Sequence, residues 1–206
     1  MSYTYSAAQS IKTDASGGRT AQTLSGPNYA IPQTLGKLAG NNLFHSFETF
    51  NIRLGESAVF STTTATLQNV ISRVSGGSAS SINGLLQLKS AAGSAPNFFF
   101  INPAGVTFGF GAWVDVPGAF HVSTANHLKF SDGTLFRAGN GPDSSFSVAP
   151  PEAFGFLGTT RAAITIKDGT TLAAQPAQAV SLIGGDFMID SSSASSNGGD
   201  VRVAAM

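Results

Sequence analysis

The stretch Asn97-Phe98-Phe99-Phe100-Ile101-Asn102-Pro103-Ala104-Gly105-Val106-Thr107-Phe108-Gly109 constrains the fold more than any other part of the chain. Residues 98–101 are too few for a stable helix and too apolar for an exposed loop, so they read as a buried strand. Asn102-Pro103-Ala104-Gly105 reads as a type I turn. Asn at the first position accepts backbone N–H groups, Pro pre-sets φ at the second, and Gly suits the fourth. Residues 106–108 resume a strand, and Gly109 closes it. Taken alone, such a corner is common, and an ordinary strand connection accounts for it.

The same grammar repeats along the chain. In residues 41–54, Phe44, Phe50, Ile52 and Leu54 share one parity with Ser46 and Glu48, while Leu43 and Phe47 take the other. Apolar residues on both parities predict a strand region covered on two sides. Further short strands are expected at 58–61, 69–74, 82–88, 113–116, 120–123 and 128–130, mostly separated by Gly, Pro, Asn or Asp. Pro150 and Pro151 predict a firm break. Residues 164–166, 179–183, 187–189 and 201–203 complete the series. Residues 31–40 fit either one short helix, with Pro32 in its first turn, or an extended segment.

Ile164 and Phe187 stand 23 residues apart, and Val180 and Val201 stand 21 apart. Spacings of this size with strand–turn–strand content suggest a solenoid. A parallel β-helix explains short strands, frequent corners and inward columns of Val, Ile, Leu and Phe together. An antiparallel sandwich also yields many short strands, but no strong two-residue Asn-Gly hairpin joins strands of matching length. Residues 191–206 read as the start of another coil rather than a cap, which predicts that the native β-helix continues past Met206.

Composition bounds the function. The chain carries 11 basic and 11 acidic residues, with only 11% charged residues against 42% hydrophobic. A nucleic-acid footprint needs a basic patch, and a membrane anchor needs a polybasic run, so both are disfavoured. The absence of cysteine excludes a disulfide framework and a thiolate metal site. Met1 to Ser10 lacks the basic and apolar regions of a signal peptide.

The chemistry of the side chains points away from catalysis. A glycoside hydrolase needs two carboxylates roughly 5–10 Å apart, and here no two of the 11 acids are adjacent in sequence. His45, His121 and His127 show no zinc-ligand spacing with a third partner, and they read as structural histidines. Trp113 reads as core, with a sugar-stacking platform as the alternative. The 16 Phe residues read as a stacked core. No cofactor is expected.

Several blocks together resemble the N-terminal secretion domain of filamentous haemagglutinin-type exoproteins, the large passengers of bacterial two-partner secretion. Asn42-Leu43-Phe44-His45-Ser46-Phe47, followed by Phe50, resembles the family's Asn-Leu-Phe-His-Ser-Phe motif. Arg73, Val74, Gly76, Gly77, Ile82 and Gly84 are similar to its next block. Asn102, Pro103, Gly105, Val106, Phe108 and Gly109 match its Asn-Pro-Asn-Gly-Ile signature and following Phe-Gly, with Ala104 for Asn and Val106 for Ile. Phe120 to Thr124 and Pro151 to Leu157 resemble two later segments. Ser78-Ala79 replaces a frequent Asn-Pro.

The resemblance implies an all-β fold: a right-handed parallel β-helix with small extra-helical strands and an N-terminal cap. It implies a single domain over 1–206, with 1–40 as the cap region and 41–206 as coils. It implies a secreted, cell-surface protein that passes the periplasm and is recognised there by an outer-membrane transporter. Asn42, Leu43, Phe44, His45, Ser46, Phe47 and Phe50, with Asn102, Pro103, Gly105, Val106, Phe108 and Gly109, are then the expected recognition residues. The alternative is a carbohydrate- or host-cell-binding adhesin domain, with host glycans bound through the full passenger. A monomer without nucleic-acid partners is expected.

Overall fold

The computed structural model describes residues 10–139, 145–173, 175–176 and 178–206. The chain winds as a parallel β-helix with three faces. Face one contains Asn42–Phe50, Asn69–Val74, Asn97–Ile101, Phe120–Ser123, Val180–Gly184 and Val201–Ala205, paired in that order and all parallel. Face two stacks Ser80–Ile82, Val106–Phe108, Ile164–Ile166 and Phe187–Ile189, with Ile52 bridged to Ile82. Face three stacks Asn28–Pro32, Ser57–Ser61, Leu85–Lys89 and Trp113–Asp115. Thr171–Ala173, paired with Ser193–Ser195, packs beside Trp113–Asp115 and carries this face onward. The right-handed sense is the one that crossovers between parallel, right-twisted strands adopt.

The spacings read from the sequence are registers of this solenoid. Ile164 pairs with Phe187, and Val180 pairs with Val201. The earlier coils are longer: Asn42 pairs with Asn69, and Asn69 with Asn97. Coil length varies at the corners, while the strands keep their register, because stacked inward side chains fix one rung on the next.

Between Phe120 and its partner Val180 the chain leaves the helix. A three-stranded antiparallel sheet forms from His127–Phe130, Leu135–Arg137 and Pro151–Gly155, with His127–Phe130 in the middle. It lies over the outside of face one. Its Leu128, Phe130, Phe136 and Ala138 form a second core with Phe44, Ile71, Phe99 and Ile101. The main core fills the interior, with Leu43, Phe47, Phe50, Phe60, Phe98, Phe100, Phe108 and Phe120 among its members.

Several local expectations change. Residues 82–88 are two strands, Ser80–Ile82 and Leu85–Lys89, because Asn83-Gly84 turns a corner between faces two and three. Pro151 opens a strand rather than ending pairing. It does so at the first position of an edge strand, where a missing N–H is tolerated. Residues 31–40 take the extended reading, broken by one 3-10 turn at Gln33–Leu35. Trp113 is outside: it stands in register with Leu85, Ser57 and Asn28 on the outer row of face three and is 67% exposed. The alternate residue Val114 takes the inner row. Phe110, 64% exposed, also lies outside the phenylalanine core.

Candidate functional site

Strand Asn42–Phe50 uses both of its sides. Leu43 and Phe47 enter the main core, and Phe44 enters the outer core. The Phe44 ring packs on Phe136 at 4.9 Å, Phe146 at 5.3 Å and Phe130 at 5.8 Å. Phe50 shares the parity of Phe44 yet lies inside. The neighbouring strand Ile11–Thr13 explains this: Thr13 pairs with Phe47 and Lys12 with Thr49, skipping Glu48. This bulge shifts the alternation by one residue. The neighbouring coil closes over the bulge at Gly76, where a Cβ would overlap the Glu48 carbonyl oxygen.

His45 also points inward. Its ring meets Phe60 edge-on at 5.2 Å and lies parallel to Phe47 at 6.2 Å. Burial, reinforced by the Arg19 charge, lowers its pKa to about 3, so the imidazole is neutral. Its rung neighbour is Ser72. Both His45 Nε2 and Ser72 Oγ are buried without a hydrogen-bond partner among the described residues. Two such groups side by side weaken the first two coils locally, since each unsatisfied polar atom costs about 1–3 kcal/mol.

Outside the same strand, Ser46 belongs to a buried polar clasp. Its hydroxyl donates to Asp14 Oδ2 at 2.5 Å, and Ser75 donates to the same oxygen at 2.7 Å. Arg73 donates to Ser46 Oγ at 2.6 Å, to Ser16 Oγ at 2.7 Å and to the Arg137 carbonyl. The Arg73 guanidinium also covers the Phe136 ring at 4.6 Å. One arginine thereby joins the N-terminal segment, face one and the outer sheet. Burial pushes the Asp14 pKa up, but hydrogen bonds from Ser46, Ser75 and Ser16 outweigh it and leave the value lowered.

The second stretch turns from face one to face two. Gly105 N–H donates to the Asn102 carbonyl at 3.0 Å and closes the corner. Asn102 Oδ1 accepts the Ala104 N–H at 2.9 Å, and its amide donates to the Ser78 carbonyl at 3.0 Å and Ser80 Oγ at 2.9 Å. Asn102 is fully buried, so these bonds tie two consecutive coils. Gly105 has φ of +116°, which L side chains rarely adopt. Pro103 and Ala104 are half-buried at the corner, whereas Val106 and Phe108 fill the core and Gly109 is buried.

The two stretches are brought together but not side by side. Asn69–Val74 lies between them, and all six of its residues are buried. They touch in the interior, where the Phe50 and Phe100 rings meet at 5.1 Å. Sequence reasoning missed the bonds among Asn42, Asn69 and Asn97 at the start of three successive strands of face one. It also missed the pairing of Asp14 with Ser46 and Ser75. The equal rung positions of the three asparagines were a usable signal; nothing local announced Asp14.

A profile of the TPS secretion domain matches residues 8–206. The chain belongs to the TPS secretion domain family. No curated relative matches the chain in sequence. A TPS secretion domain is a secretion module of two-partner-secretion exoproteins, which pass through the periplasm, and not a catalytic unit. A groove of this TPS domain runs between the outer side of face one and strand Pro151–Gly155, with Phe99, His121, Phe154 and Arg202 among its walls. His121 stacks on Phe99 at 4.5 Å, and burial with the Arg202 charge lowers its pKa to about 4. Glu152 is paired with Lys129 at 2.8 Å.

Proposed function

We propose that this TPS domain addresses its exoprotein to the outer-membrane transporter, and that residues 41–50 and 97–109 are the stretches recognised while extended. Burial carries the reading. Leu43, Phe44, Phe47, Phe50, Phe98 and Phe100 are each at most 2% exposed in the folded domain. A partner that reads these side chains must meet them before the coils close. Strand addition suits such a segment, with main-chain hydrogen bonds for affinity and alternate side chains for register. Binding and folding then compete for the same residues. Folding at the cell surface withdraws them and biases movement outward.

The test is to measure binding of the folded domain and of a variant destabilised outside both stretches, Leu86→Ala in the main core, to the transporter's periplasmic domains, with secretion of Phe47 and Asn102 variants in parallel. Tighter binding of the destabilised chain and reduced secretion of both variants are expected. Equal affinity for both conformations, or undiminished secretion, defeats the mechanism.

A second reading is favoured by one observation. Trp113 stands exposed on face three beside Asp115 and Gln87, a polar platform with one aromatic face. A glycan stacked there would make the domain adhesive. Glycan-array binding lost in Trp113→Ala supports that reading; its absence leaves secretion alone.

A further inference from the structure

Face one begins at Asn42–Phe50, whose inner neighbour is Asn69–Val74. Its other edge is not covered by a coil. Two three-residue strands lie on it, both antiparallel in a face that is otherwise parallel. Ile11–Thr13 pairs over residues 47–50, and Lys37–Ala39 pairs over residues 42–44. An uncovered strand edge is a template for pairing with another chain, so these short strands guard the stretch that the secretion reading makes a recognition element.

The guard is shallow at Lys37–Ala39, deeper at Ile11–Thr13, where Ile11 belongs to the main core, and latched from outside. Leu38 is 47% exposed. Its strand follows a segment held by Arg19, whose guanidinium donates to the Thr34 carbonyl at 2.5 Å and to the Gly36 carbonyl. Ile11 and Thr13 reach the interior side, and Asp14 directly after them carries the bonds to Ser46 and Ser75. Releasing these two ladders, the Asp14 latch and the Arg73–Ser16 bond, and withdrawing Ile11 from the core, opens the edge of Asn42–Phe50, while its pairing with Asn69–Val74 stays intact.

We propose that Ile11–Thr13 and Lys37–Ala39 form a removable cover, and that the edge they release takes an extended strand of the transporter's periplasmic domain. The inference rests on the secretion reading and adds a first step to it: local opening of this edge admits the partner's main chain before the coils open and release the buried side chains. The cover strands themselves describe the occupant. The edge accepts an antiparallel strand, with an apolar side chain opposite Phe50 where Ile11 sits and a small one opposite Phe47 where Thr13 sits. The parallel side is already used by Asn69–Val74.

The chain has no cysteine, so a staple can be placed without ambiguity. Lys12→Cys/Thr49→Cys joins cover to edge at one register pair, and Thr165→Cys/Met188→Cys joins two strands of face two, outside both recognised stretches, as a control. Binding of the full domain to the transporter's periplasmic domains is measured with each staple oxidised and reduced. The oxidised cover staple should weaken binding by about tenfold or more, because apparent affinity scales with the fraction of competent chains and the staple removes the open fraction. Reduction should restore it, the control should bind equally in both forms, and Asp14→Asn should bind more tightly than wild type. Equal loss from both staples, or loss from neither, overturns the cover while leaving the secretion reading in place. Failure of wild type and of the destabilised Leu86→Ala variant to bind at all overturns the secretion reading, and the cover with it.

Discussion

Asn69 donates its side-chain amide to Asn42 Oδ1 at 2.9 Å, from the strand one coil further along. Asn97 donates in turn to Asn69 Oδ1 at 3.3 Å, and the Ala119 N–H donates to Asn97 Oδ1 at 3.1 Å. At the other end, Asn42 donates to the carbonyls of Ser147 and Ala149 at 2.9 and 2.7 Å. A continuous amide ladder therefore runs from the segment following the outer hairpin to the fourth strand of face one. It holds the coils in register on their outer side, as the stacked phenylalanines do inside. Asn69→Ala should cost about 2 kcal/mol, because it leaves buried amide groups of both neighbours without partners. The urea midpoint should fall with an unchanged slope; an unshifted midpoint would show that the ladder is not structural.

The Asn102 corner makes a paired prediction. Asn102→Ala removes three buried side-chain hydrogen bonds and should cost about 2–3 kcal/mol. Gly105→Val places a β-branched residue at φ of +116°, with its Cβ 3.3 Å from the Ala163 carbonyl oxygen, and should cost about 1–3 kcal/mol. Thermal melts of both variants that overlay wild type would remove the corner from the determinants of stability.

Phe44 and Phe47 should fail differently. Phe47→Ala opens a cavity in the main core and should lower global stability by about 3–5 kcal/mol. Phe44→Ala empties the outer core, so amide exchange should accelerate first in His127–Phe130 and Pro151–Gly155. Uniform acceleration in both variants would contradict two separate cores.

Ser72→Ala should stabilise the domain by about 1 kcal/mol or more, because it deletes a buried hydroxyl that has no partner among the described residues. If the recognised stretches must open, the same change should slow secretion. A destabilised Ser72→Ala protein would refute the local account.

Acid dependence follows from the histidines. His45 and His121 have folded values of about 3 and about 4, against an unfolded value near 6.5. The unfolded chain therefore binds protons first. Stability is fully present above about pH 6.5 and declines toward the folded values, with a slope of up to about 1.4 kcal/mol per pH unit for each histidine. Asp14, with a lowered carboxylate value, adds stability that persists above its unfolded value of 3.8 and is lost as pH falls through its folded value. A denaturation series from pH 7 to 4 should show the histidine slope, and His45→Phe should reduce it. A flat series would place both rings in water.

Much of the fold was legible locally. Short apolar runs, glycine and proline corners and the 23- and 21-residue spacings were enough for a solenoid, because each rung must repeat its inward residues. The closing bonds of the Asn102 turn were legible too, because Gly105 and Ala104 donate to Asn102 within four residues; its bonds to Ser78 and Ser80 in the preceding coil were not. The clasp was not. Asp14, Ser46 and Arg73 come from three segments, and charge and hydroxyl groups at those spacings carry no local signature.

The sequence alone determined that the chain is a stack of short strands, where most strands of the coils lie, how long the last coils are, and membership of the resembled family through its motif spacing. Tertiary structure decided which side of each strand faces inward. A strand's period of two separates its faces without naming the buried one, and the bulge at Glu48 moves Phe50 to the side of Phe47. It also turned Trp113 outward, laid the sheet of His127–Phe130, Leu135–Arg137 and Pro151–Gly155 over Phe44, and set two antiparallel strands on the edge of Asn42–Phe50. These outcomes depend on contacts between segments far apart in the chain, and such contacts form only when the packed coils present both surfaces at once.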